Sequence, residues 1–203
     1  LQQLFNSVDV AVVGRFASSE ALAAVGANTF LINLMINLFV GISIGANAVV
    51  ANRIGQRDVE GIGRAVSTTI VLSVVSGLIL LVVGMMISRP VLALMETPSD
   101  VIDDAVLYLR IYFLGAPFFL IYNFGASILR SKGDTRRPLY ILLVAGLINT
   151  VLNLFFVIVC HLSVAGVAIA TSISNVYSAA CVVSILCHES GALRLRIGKL
   201  RLY

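Results

Sequence analysis

Asp9 is a carboxylate set inside an apolar run, QQLFNSVDVAVVG (2–14), that ends against Gly14-Arg15. Gln2, Asn6 and Asp9 fall at i, i+4 and i+7, so on a helix they share one face. Placing Asp at mid-membrane depth costs roughly 2.5–3.5 kcal/mol even on the lenient insertion scale. Such a side chain turns to a protein interior or a wet cavity, where it invites a proton or a cation. The competing reading places Asp9 close enough to the helix end to reach interfacial water, with only a capping role; the rule that intramembrane carboxylates are functional favours the first. Further along, Asn149 and Asn153 repeat the four-residue spacing, and Thr171, Asn175 and Ser178 sit at i, i+4 and i+7. Amide and hydroxyl oxygens are what a dehydrated Na⁺ needs, and they also hydrogen-bond a protonated carboxyl. These two stripes are read as partners for Asp9. Asn33 and Asn37, continued by Gly41 and Gly45, form a third polar face. Small and amide residues of this kind favour helix–helix contact, with a substrate cavity as the second reading.

The elements that carry these residues are membrane helices. Hydrophobic residues make up 59% of the 203 and charged residues 12%, against about 25% charged in a soluble domain; mean hydropathy is +1.02. Repeated apolar spans exclude a signal peptide as the explanation. After the polar turn at 14–20, spans are predicted over 22–50, 65–87, 106–129, 139–160 and 164–187. Ser88-Arg89-Pro90 is expected to close the third, with a short interfacial helix over 91–95 and a helix start with an N-cap at Thr97-Pro98-Ser99-Asp100. Pro117 marks a point of expected bending in the fourth. The first segment opens on Leu1 and is shorter than the ~20 apolar residues a span requires, so a truncated first helix and a fragmentary chain are expected. The fold class is thus an all-α integral membrane bundle of six helices.

Charge tests the topology. With the end of the first helix outside, the inner loops hold Arg53, Arg57 and Arg64, then Arg130, Lys132, Arg136 and Arg137, then Arg194, Arg196, Lys199 and Arg201. The outer side keeps Arg15, Arg89 and Arg110. This obeys the positive-inside rule, and the reverse orientation violates it. The net charge of +4 lies in short loops between spans, so nucleic acid is not the implied partner. Cys160-His161 and Cys187-His188 are adjacent pairs without metal-ligand spacing, as is Cys181 alone, and small packing residues are the better reading. There is no HExxH, no pair of intramembrane acids, and no Ser or Cys nucleophile with a placed His, which argues against an enzyme.

The runs GRFASSEALAAVGA (14–27), GISIGANAVVANRIGQRD (41–58) and YLRIYFLGAPFFLIYNFGASILRSKGDTRRPL (108–139) resemble the multidrug and toxic-compound extrusion (MATE) family, as do LINTVLNLFFVIV (147–159) and VAGVAIATSIS (164–174). The resemblance implies a secondary active transporter of twelve helices in two lobes, exporting organic, often cationic compounds against H⁺ or Na⁺ entry. It implies that 1–193 is the N-terminal lobe and 194–203 the start of a basic cytoplasmic linker to a missing C-terminal lobe. It places the chain in the cell (plasma or inner) membrane, with no cofactor beyond the coupling ion. The family's cation site maps onto Asp9, Asn149 and Thr171, with Asn6 and Asn153 completing the shell; Asn33, Asn37 and Asn175 are candidates for the substrate cavity. Many prokaryotic members carry a second acid where this chain has Asn153, so carboxylate-pair schemes are disfavoured. A lipid-linked saccharide flippase of the same superfamily is the alternative. Its pyrophosphate would call for more cationic residues in the cavity than Arg110 alone.

Overall fold

The computed structural model describes residues 2–196, 198 and 200, with side chains from residue 7 onward. Six long helices follow one another: α1 (Gln2–Phe16), α2 (Ser19–Gly55), α3 (Val59–Leu94), α4 (Ile102–Ser131), α5 (Arg136–Leu154) and α6 (Ser163–His188). No strand occurs among the described residues. A π-helical turn, Phe155–Val159, extends α5, and a short 3₁₀ turn, Gly191–Leu193, follows α6. Five of these helices are long and apolar enough to cross a membrane.

α2 and α3 overrun their apolar windows. At 37 and 36 residues they measure about 55 Å at 1.5 Å per residue, well beyond a ~30 Å hydrocarbon core. Hydropathy marks the core, whereas the helix continues into water until a cap stops it. The Ser18 hydroxyl accepts from Ala21 N–H at the start of α2, and the Asp58 carboxylate accepts from Gly61 N–H at the start of α3. At the far ends, paired reverse bonds close α2 (Arg57 N–H to Ile54 O, Asp58 N–H to Arg53 O) and α3 (Glu96 N–H to Ala93 O, Thr97 N–H to Leu92 O). Arg57 and Glu96 take the left-handed conformation these closures need (φ 55° and 56°), a place glycine usually fills.

Two sequence expectations are corrected here. α3 does not stop at Pro90 to leave a separate helix over 91–95; it runs through to Leu94 with Pro90 inside. Pro90 forfeits one backbone bond and crowds the carbonyl one turn before it, yet the helix continues past it and seats Leu92 in the buried core. The 97–100 segment does not cap α4. Val101 occupies the cap position without a side-chain bond, and the Pro98 carbonyl instead accepts from Val101 and Ile102 N–H.

α4 is the central helix. It packs against α2, α3, α5 and α6, and its buried residues run almost without break from Ala116 to Leu129. Exposed side chains such as Leu34, Leu38, Val82 and Met86 cover α2 and α3, as expected of surfaces that meet lipid. In lipid there is no hydrophobic gain from pairing helices, so contact rests on close packing and on polar ties. Asn28 Nδ2 donates to the Ala24 and Ala105 carbonyls and ties α2 to α4; Tyr122 OH donates to the Pro138 carbonyl and ties α4 to α5. α3 comes close to the α4 backbone at Gly77, where a Cβ would stand 2.6 Å from Pro117 Cα. Because that neighbour is backbone, Gly77→Val is expected to destabilise the bundle by about 1–3 kcal/mol or more. A lower melting temperature in detergent, with a smaller loss for Gly41→Val on an open face, checks it.

The segment after α6 folds back over the end of the bundle. Glu189, its side chain 6% exposed, pairs with Lys132 at 2.5 Å and Arg137 at 3.0 Å. Leu195 N–H bonds to Leu186 O, and Leu193 and Leu195 are buried beside Ile62 and Leu129. The Lys132 hydrogen bond, aided by the Arg137 charge, holds the Glu189 carboxyl below its ordinary value of 4.5. A lowered value means the clamp stabilises fully above that pH and is lost as pH falls through the lower folded value. Its partners are half-exposed, so each pair is worth only about 0–1 kcal/mol. Acidification below pH 4.5 is therefore expected to lower the melting temperature of the native protein more than that of Glu189→Gln.

Candidate functional site

Asp9 is fully buried, and donors from three helices converge on it. Asn153 Nδ2 of α5 donates to Oδ1 at 2.7 Å, and the Thr171 hydroxyl of α6 donates to Oδ2 at 2.9 Å. The Tyr108 hydroxyl of α4 donates to Oδ2 at 3.2 Å. Behind these, Asn149 Nδ2 donates to Thr171 Oγ1 at 3.0 Å, and Asn153 Nδ2 also reaches Asn149 Oδ1 at 3.2 Å. The chain Asn149 to Thr171 to Asp9 points every hydrogen toward the carboxylate, and charge-assisted bonds of this kind are about twice as strong as neutral ones. None of the ion pairs among the described residues involves Asp9. A buried carboxylate held by neutral donors alone keeps a charge that a proton or a cation can neutralise.

Local structure explains the convergence. Asn149 and Asn153 lie one turn apart on the buried side of α5, and Asn153 stands two residues before the π-helical turn begins. Such turns concentrate at functional sites. Tyr108 is buried on α4 and stacks on Tyr112 with ring centroids 6.4 Å apart. One acceptor is left over: Asn153 Oδ1 is buried without a partner among the described residues. An orphaned oxygen beside a carboxylate, with Asn149 Oδ1 and Thr171 Oγ1 near, is an oxygen-rich setting that suits a small hard cation or a proton-bearing group.

The structure thus brings together Asp9, Asn149, Asn153 and Thr171. The Asn6 side chain lies outside the described residues. Asn175 is buried on α6 but makes no bond to Asp9, and Ser178 spends its hydroxyl on the Ser174 carbonyl. Asn33 is half-buried and Asn37 exposed. A Cβ added to Gly41 or Gly45 would meet nothing within 4 Å, so these two glycines pack on no helix among the described residues. Cys160 is likewise exposed rather than packed. Tyr108 was not legible as a member of the site. Its signal would have been a tyrosine pair at four-residue spacing on the most buried helix.

The MatE family model matches residues 1–155. The chain belongs to the MatE family. Among its relatives, it is 33% identical over 152 residues to a probable multidrug resistance protein, YoeA, of Bacillus subtilis, covering 75% of this chain and 33% of the relative. It is 28% identical over 175 residues to a second from the same organism, YpnP, covering 86% and 39%. Among solved structures, a MATE protein in the bent conformation superposes with a TM-score of 0.92 at 26% identity, over 98% of this chain and 45% of that one. The chain therefore spans a third to two-fifths of the length of these curated relatives. It is a multi-pass membrane member of the family, and the relatives it matches are named as multidrug resistance proteins.

Proposed function

We propose that the protein is a secondary active antiporter that exports organic, often cationic compounds in exchange for H⁺ or Na⁺. In this reading residues 1–193 form the N-terminal lobe, 194–203 begin the linker, and a second lobe outside this chain completes the transporter. The observation that carries it is the fully buried Asp9, bound by neutral donors from α4, α5 and α6 beside the unpartnered Asn153 Oδ1.

The ionised carboxylate fastens α1 to three helices by charge-assisted bonds. Neutralising Asp9 from outside weakens those bonds, frees α1 to repack, and favours the state that releases substrate outward. Return to the inward state gives the ion up. An ion that bound both states equally would shift nothing, so the site has to differ between them. The name of a relative as a multidrug resistance protein supports the substrate class. The clustering of Arg53, Arg64, Lys132, Arg137 and Arg194 at one end of the bundle supports a cytoplasmic placement of that end, in the cell membrane, with the end of α1 outside.

The test uses the full-length protein that carries this chain, reconstituted in liposomes with a fluorescent organic cation. An imposed proton gradient or an imposed Na⁺ gradient is expected to drive dye movement above that of protein-free liposomes. Movement under neither gradient overturns the reading.

A further inference from the structure

A second feature lies far from Asp9. A crevice of about 580 Å³ opens between the C-terminal half of α2 and the N-terminal half of α3, floored by Phe124 of α4. Its walls are mostly apolar: Ile42 and Val49 on α2 and Leu72 on α3 are each at least 40% exposed, with Thr68 and Thr69 between Leu72 and the mouth. Its mouth is charged and balanced in sign. Arg53 pairs with Asp58 at 3.2 Å, and Arg64 pairs with Glu60 one helical turn away. All four line the opening.

Depth identifies what fits. Ile42 precedes Arg53 by eleven residues and Leu72 follows Arg64 by eight, so at 1.5 Å per residue the walls run about 12–17 Å inward from the charges. Half of a ~30 Å hydrocarbon core is about 15 Å. The crevice is therefore one leaflet deep, with its charges at headgroup level. A volume near 580 Å³ also falls inside the roughly 300–1,000 Å³ range of small-molecule sites.

We propose that this crevice is a binding site for a zwitterionic phospholipid of the phosphatidylethanolamine class. Arg53 and Arg64 take the phosphate, Glu60 takes the ammonium, and one acyl chain lies along Ile42, Val49 and Leu72 to Phe124. Asp58 is occupied at the start of α3, where it accepts from Gly61 N–H, which leaves Glu60 as the carboxylate at hand. Exposed ion pairs are weak, so the Arg53 and Arg64 pairs open readily to an incoming headgroup. A singly anionic lipid meets two guanidiniums but also two carboxylates, and gains less. The site is independent of ion coupling at Asp9.

Native mass spectrometry on the full-length protein, equilibrated with equal phosphatidylethanolamine and phosphatidylglycerol, tests this. One retained phosphatidylethanolamine is expected, preferred by about fivefold, the equivalent of one exposed ion pair. Val49→Phe, at an exposed wall position, is expected to remove the retained lipid, with the melting temperature as the check on folding. Glu60→Gln, on the helix surface, is expected to keep a lipid but bring the two headgroups to parity or reverse them. Equal retention by the native protein, retention untouched by Val49→Phe, or displacement of the lipid by the transported organic cation would each overturn the assignment.

Discussion

Asp9→Asn is expected to reduce gradient-driven dye movement to the leak of protein-free liposomes while leaving the bundle folded. The substitution keeps shape and one acceptor oxygen, and the Thr171 and Tyr108 hydroxyls can rotate to accept from the new amide. What it removes is the charge, and with it the difference between a loaded and an empty site. Because isolated buried charge is costly, the melting temperature should hold or rise. That combination, intact fold and no coupling, separates an ion-binding role from a structural one. If dye moves equally well in the variant, Asp9 is structural, and coupling belongs to the part of the protein outside this chain.

Much of this site was legible in the sequence because polar atoms are expensive in hydrocarbon and each one stands out against its surroundings. Helical spacing set Asn149 beside Asn153 and put Thr171 on a stripe of its own; the need of a lone acid for partners, with the family resemblance, joined them to Asp9. Tyr108 could not be joined to them. A tyrosine in a membrane helix is ordinarily an amphipathic packing residue, and whether its hydroxyl meets Asp9 depends on the rotation of α4, which spacing within α4 does not fix. The same limit explains the surplus candidates. Asn175 shares a stripe with Thr171, yet one turn along α6 carries it past the carboxylate. Asn28, of the same residue type, bridges the Ala24 and Ala105 carbonyls instead. Composition finds the polar groups, but only the relative placement of helices says which of them meet.

Helix ends were the poorly legible part of the fold, for a related reason. α2 and α3 end on reversed turns whose left-handed positions are Arg57 and Glu96, so the glycine that usually announces such a stop is missing. The end of α4, by contrast, has Gly133 in that place (φ 89°), and the expected limit at 129 falls two residues short of Ser131. Pro90 misled in the opposite direction, since proline reads as a stop although α3 carries it inside and runs on to Leu94. The apolar windows located the hydrocarbon, and the caps located the helices.

Thr171→Val is expected to produce the second large effect, and its sign identifies the coupling ion. Valine keeps the volume but deletes the hydroxyl that donates to Asp9 Oδ2 and accepts from Asn149 Nδ2. A hydrogen bond to a charged group contributes about 1.5–3 kcal/mol, which corresponds to roughly 10–150-fold in an equilibrium constant at 1.4 kcal/mol per decade. If Na⁺ is the coupling ion, the variant loses an oxygen ligand, and the Na⁺ concentration for half-maximal transport should rise by up to that factor. If H⁺ is the coupling ion, the deleted donor had favoured the charged carboxylate over the neutral acid. The variant then binds its proton more tightly, and loading saturates at a lower outside proton concentration. Transport assays over a series of Na⁺ and H⁺ concentrations distinguish the two. An unchanged dependence on both ions would remove Thr171 from the site. Asn153→Ala serves as the companion measurement, because it deletes the 2.7 Å donor to Oδ1 and the unpartnered oxygen together. Under Na⁺ coupling it should act in the same direction as Thr171→Val, since both variants lose an oxygen from around the ion.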